Sequence, residues 1–83
     1  EEGLTEKHLP VVGSNGQKIT VKVGSVPHPM EAEHFIEWVE IETADECLRK
    51  FLKPGDKPEV EFELSAVDFQ VRAYCNIHGL WKR

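Results

Sequence analysis

The chain of 83 residues lacks any apolar run near the roughly 20 residues needed to span a bilayer, so no membrane partner is expected. It lacks a basic excess as well. Ten Lys and Arg against 15 Asp and Glu leave a net charge of −5, which argues against a general nucleic-acid binder, because such a protein needs a basic face. The start, Glu1-Glu2-Gly3, is polar and acidic and carries no export signal, so a cytoplasmic setting is expected. The opening residue is not Met, as in a chain that is processed, tagged or cut from something longer. Internal repeats, low-complexity tracts and interdomain linkers are absent, and residues 1–83 are expected to form a single domain. Cysteine is scarce: only Cys47 and Cys75 are present. In a secreted domain this small, two cysteines would suggest one disulfide. Without an export signal, and with a CxxH spacing at Cys75, ligand chemistry is the expected use and both thiols are expected to be free.

A domain of this length buries a limited share of its surface, and small scaffolds often add a metal or disulfide in compensation. Helical periodicity is also scarce, whereas turn signals and alternation are frequent. Gly13-Ser14-Asn15-Gly16 and Lys53-Pro54-Gly55-Asp56-Lys57-Pro58 read as turn clusters. Ile19, Val21 and Val23 alternate with Thr20 and Lys22, the mark of a half-buried strand. Val60, Phe62 and Leu64 alternate with Glu59, Glu61 and Glu63, giving a strand with an acidic outer face. The run Val67, Phe69, Val71, Ala73, Cys75 carries its apolar phase into the thiol, which should leave the sheet on the inner side. The segment from His34 to Ile41 is expected to be a strand with both faces partly covered, and Trp38 in the core. Thr43 to Cys47 reads as a connection, and Cys47 to Leu52 as a weaker strand with Cys47 a structural thiol. Short strands punctuated by turns predict an all-β antiparallel sandwich or barrel.

The four histidines, His8, His28, His34 and His78, all lie at loops or strand ends beside Pro or Gly. His28 and His34 bracket the proline-stiffened loop His28-Pro29-Met30-Glu31-Ala32-Glu33-His34, whose Glu31 and Glu33 should face water. Cys75-Asn76-Ile77-His78-Gly79 places a thiol and an imidazole across a tight turn. Each signal alone is weak, since a lone surface His is usually solvated and a lone CxxH occurs by chance. Together they form a donor set suited to a borderline transition metal. Structural zinc takes four ligands in a closed tetrahedron, and catalytic zinc usually three plus water. Four imidazoles and a thiolate make five, which leaves one open position on an octahedral ion and suits iron redox chemistry. A blue-copper site would use two His, one Cys and a weak axial ligand, and haem attachment would need CxxCH.

The segments EKHLPV, VKVGSVPHPMEAEHFIEW, FLKPG and AYCNIHGLWK closely resemble the iron domain of superoxide reductases, the group of neelaredoxins and the C-terminal domain of desulfoferrodoxins. The resemblance runs from about Thr5 to Lys82. It implies an immunoglobulin-like antiparallel β-sandwich that holds one iron through equatorial His8, His28, His34 and His78 and axial Cys75. The glutamate of the EKH motif, here Glu6, is implied to reach the sixth position in the oxidised state. The adjacent lysine, Lys7, is implied to attract superoxide and to assist the peroxide. The implied reaction takes superoxide, one electron and two protons to hydrogen peroxide. The electron donor would be rubredoxin or a similar carrier, and the assembly a dimer or tetramer of like chains.

Superoxide is an anion and the chain is acidic, so attraction would have to be local, from iron and Lys7. Read from spacing alone, Glu6 and Lys7 are a solvated charge pair. Turn amides of Ile77 and His78 are candidate donors to the Cys75 sulfur. Trp81 either walls the site or packs in the core. The competing reading is a zinc- or iron-stabilised sandwich without enzymatic activity. One departure from the group is plain: the N-terminal four-cysteine iron domain of desulfoferrodoxins is missing from these residues, so the chain reads as a one-iron enzyme or as a fragment.

Overall fold

The computed structural model describes residues 7–25, 28–64 and 68–82. Glu6 and Val67 lie outside them. Among the described residues there are seven strands: β1 (Pro10–Asn15), β2 (Lys18–Val23), β3 (Ile36–Glu42), β4 (Cys47–Phe51), β5 (Glu59–Glu63), β6 (Gln70–Cys75) and β7 (Gly79–Lys82). They form one sheet in the order β1-β2-β5 and another in the order β4-β3-β6-β7. All pairings are antiparallel. Lettered along the chain as A, B, C, C′, E, F and G, the two sheets become A-B-E and C′-C-F-G. This is an immunoglobulin-like sandwich.

Alternation places the core where the sequence predicts it. Ile19, Val21 and Val23 of β2, Val60 and Phe62 of β5, and Val71, Ala73 and Cys75 of β6 are buried together with Ile36, Val39 and Ile41 of β3. On the outer face of the three-stranded sheet, Lys18 opposes Glu63 and Lys22 opposes Glu59, so the acidic face of β5 meets cross-strand cations.

Three details depart from the sequence reading. Gly13, Ser14 and Asn15 belong to β1, and the turn narrows to Gly16 and Gln17 between the Asn15–Lys18 pair. Gly16 has φ 65° and no described non-glycine residue, Gln17 included, has a positive φ, the pattern of a Gly-first type II′ hairpin turn. Second, β7 pairs with β6, so the segment after the CxxH turn is a strand. Third, Trp38 is half-buried on the outer face of the four-stranded sheet and not in the core. It stacks on Tyr74 with 5.6 Å between ring centroids. The Arg49 guanidinium covers it at 3.9 Å.

That outer face also hides a carboxylate. Glu40 is only 2% exposed. It accepts hydrogen bonds from Arg49 Nε at 2.9 Å and Arg72 Nη1 at 2.8 Å. Arg72 also pairs with Glu42. Burial alone would raise the Glu40 pKa, but the hydrogen bond from Arg49 and the charges of Arg49 and Arg72 outweigh it. The carboxyl is held below its ordinary 4.5. The second face of β3 is thus partly covered, as expected, by the Trp38–Tyr74 stack together with Arg49 and Arg72.

Candidate metal centre

Five donor-bearing residues meet at one end of the sandwich. His8 lies two residues before β1, whose Pro10 opposes Val23 at the end of β2. His28 follows β2 and is 2% exposed. His34 lies just before β3, with its backbone paired reciprocally to Glu31 at 3.0 Å in each direction. Cys75 ends β6 opposite Ile36, and His78 lies in the turn that leads to β7. A bulge at Glu37, between the Ile36–Cys75 and Trp38–Tyr74 pairs, shifts the register of β3 at this point. Bulges of this kind re-aim side chains beside functional sites.

The imidazoles form a closed quartet. Centroid separations around it are 4.5 Å for His8–His28, 4.7 Å for His28–His34, 5.1 Å for His34–His78 and 4.8 Å for His78–His8. Each neighbouring pair is steeply inclined, between 69° and 82°. Across the quartet, His8 and His34 are 6.2 Å apart at only 32°. Four rings ordered in this way surround a common centre.

The donor atoms agree. His8 Nε2 stands 3.0 Å from His28 Nε2 and 3.2 Å from His78 Nδ1. Two nitrogens bound at right angles to one ion, each about 2.0–2.1 Å from it, would lie about 3 Å apart. Donor atoms of His8, His34, Cys75 and His78 all fall within 4.8 Å of one another. His34 Nε2 is buried and has no hydrogen-bond partner. A buried ring nitrogen without a partner needs an explanation, and a metal ion at the centre of the quartet supplies one. The residues therefore fit a metal ion.

Local contacts prepare these donors. His28 Nδ1 lies 2.6 Å from the Pro29 carbonyl and donates to it, which fixes the tautomer and leaves the Nε2 lone pair for the site. Burial chiefly lowers the His28 pKa, from 6.5 to about 4, and the neighbouring His8, His34 and His78 add to that against the opposing hydrogen bond to Pro29. A neutral imidazole is the form a metal requires. Cys75 is fully buried and reduced. Its Sγ lies 3.9 Å from His78 Nδ1 and accepts the His78 backbone N–H at 3.5 Å, one of the two turn amides expected to donate there.

Trp81 stacks on His8 at 4.9 Å and 23° and so walls the site. Lys7 is exposed, one residue before His8, while Glu6 lies outside the described residues. Glu31 and Glu33 face solvent as expected. Cys47 opens β4 as a free, exposed thiol. Two contributors escaped the sequence reading. The Pro29 carbonyl leaves no side-chain signal. Asn76, within the CxxH motif, has contacts that depend on the distant loop at residues 33–35.

An all-β sandwich carrying a His-and-Cys metal centre is the class these features define. The desulfoferrodoxin family pattern matches residues 1–83, and the chain belongs to that family. It is 60% identical over 77 residues to a desulfoferrodoxin homolog of Methanothermobacter thermautotrophicus, covering 92% of this chain and 62% of that protein. The chain thus spans less than two thirds of that relative's length. Among solved structures, it is similar to the superoxide reductase from Treponema pallidum, with 43% identity and a TM-score of 0.85 over 95% of this chain and 67% of that one. It is also similar to the superoxide reductase (1Fe-SOR) from Giardia intestinalis, with 25% identity and a TM-score of 0.79 over 94% of this chain and 95% of that one.

Proposed function

We propose that residues 1–83 form a single superoxide reductase domain that carries superoxide, one electron and two protons to hydrogen peroxide. The observation that carries this reading is the closed imidazole quartet with the Cys75 thiol against it. His8, His28, His34, His78 and Cys75 would hold the iron. Iron held there would supply the transferable electron and Lewis acidity toward the substrate.

The residues of the chain prepare that chemistry. The Pro29 carbonyl orients His28, and the Trp81 indole fixes the plane of His8. The His78 amide moderates the charge of the buried Cys75 thiolate. Lys7 provides a local cation beside His8 in a chain of net charge −5, so that it attracts the anion where overall charge repels it. Glu6, outside the described residues, is proposed as a carboxylate that would bind the iron in its oxidised state.

The electron would come from rubredoxin or a similar one-electron carrier, in the cytoplasm, and the domain would assemble as a dimer or tetramer. No described helix is long and apolar enough to cross a membrane. A zinc-stabilised module without activity is the weaker reading, because five donors exceed the four that structural zinc uses. An optical spectrum with metal analysis separates the two. The proposal expects stoichiometric iron and a visible thiolate-to-iron band that bleaches on reduction. A colourless stoichiometric zinc protein would overturn it.

A further inference from the structure

We propose that Asn76 is the positioning residue for His34, holding that ligand against the ligand turn of Cys75 and His78. Asn76 Oδ1 accepts the Phe35 N–H at 2.9 Å. Asn76 Nδ2 donates to the Glu33 carbonyl at 3.1 Å. The Asn76 backbone N–H donates to the Phe35 carbonyl at 3.2 Å. One residue therefore grips the main chain on both sides of His34, 42 positions away in sequence, while its own backbone follows Cys75 directly.

The Ile36–Cys75 pair joins the same two segments one residue further on, through strand pairing alone. The reciprocal Glu31–His34 bonds close the loop upon itself. The Ile36 N–H meets Met30 Sδ at 3.4 Å, again within the loop. His34 Nε2 has no hydrogen-bond partner among the described residues, so the ring is placed by packing against His28 and His78 and by the backbone that carries it. The carboxamide suits the task because it donates and accepts at once. A carboxylate at 76 could accept from Phe35 but could not donate to Glu33, and an alanine could do neither. A ligand loop displaced by even a fraction of an ångström weakens a metal site, which is why contacts supporting the ligands matter nearly as much as the ligands.

This inference rests on His34 being a metal ligand, and the test separates the two ideas. Zinc affinity is measured by chelator competition on the wild-type chain, Asn76→Ala, His34→Ala and the double variant, with circular dichroism and metal-free stability recorded for each. Asn76→Ala should weaken zinc binding about 10- to 100-fold in the wild-type background. In the His34→Ala background it should change little, because a residue that acts through His34 has nothing left to position. A purely structural role would give equal losses in both backgrounds, and that result overturns the proposal. So does unchanged affinity in Asn76→Ala. If His34→Ala itself leaves zinc affinity unchanged, the ligand assignment fails and takes the clamp with it. Asn76→Asp, which keeps the bond from Phe35 and loses the one to Glu33, should fall between wild type and Asn76→Ala. It supplies the same cycle if the alanine variant does not fold.

Discussion

His8 Nε2 and His28 Nε2 stand 3.0 Å apart, two ring nitrogens turned toward each other in a buried site. His28 commits its Nδ1 proton to the Pro29 carbonyl, so its Nε2 faces His8 as a lone pair. Such a contact is unfavourable between bare acceptors, and a cation or a proton between the rings relieves it. The stability and pH response of the domain should therefore depend on what occupies that centre.

The first consequence concerns the metal-free protein. His28 titrates near 6.5 in an unfolded chain and at about 4 in the fold. Between those values the unfolded state binds more protons, so stability rises with pH through this window and is fully present above pH 6.5. It is lost as pH falls toward 4. Urea denaturation of the metal-free chain across this range should show the slope, and His28→Ala should flatten it. An equally steep profile in the variant would contradict the assignment.

The second concerns Glu40. Its depressed pKa contributes stability that is present above about 4.5 and lost as pH falls through the folded value. Glu40→Gln should cost about 1–3 kcal/mol near neutral pH and should weaken the acid dependence, because the charge is lost and one of the two oxygens that serve Arg49 and Arg72 becomes an NH2 donor. Chemical denaturation at pH 7 and pH 4 measures both effects. A loss that is the same at the two pH values would speak against the charge network.

The third concerns Lys7. With the rest of the chain repelling an anion, Lys7→Ala should slow the second-order reaction with superoxide by about tenfold and weaken its salt dependence. Pulse radiolysis at several ionic strengths gives both quantities. An unchanged rate refutes the steering role.

The fourth concerns the exposed Cys47. Desolvation at the sheet surface and the Glu40 carboxylate, with Glu42 adding to it, raise its pKa above the ordinary value of 9.0. It should persist as a thiol at neutral pH and react slowly with iodoacetamide and with peroxide, because the thiolate is the reactive form. Glu42→Gln should accelerate alkylation. Rapid modification in the wild-type chain would contradict this.

The strands that alternate cleanly, β2, β5 and the inner phase of β6, were legible in the residues, as was the meeting of four histidines with Cys75. The same alternation that buries Val71 and Ala73 delivers the thiol to the inner end of the sheet. Less legible was β1, because Pro10 and the Gly13-Ser14-Asn15 run favour turns locally, and pairing with β2 overrides that preference. Trp38 looked like core by hydropathy. It sits outside because the Glu37 bulge sets its phase, and because Arg49, distant in sequence, provides its cover. The Asn76 clamp and the tautomer of His28 depend on backbone carbonyls, which no side-chain pattern announces.

The central claim is that this centre reduces superoxide rather than dismutating it or merely binding a metal. The most direct measurement loads the chain with iron, reduces it, and counts hydrogen peroxide formed per superoxide consumed while following dioxygen. One peroxide per superoxide with no dioxygen released is the predicted result, and Cys75→Ser should lose the thiolate-to-iron band and turnover together. One peroxide for every two superoxide ions with dioxygen evolved, or no acceleration over the spontaneous reaction, would contradict the account.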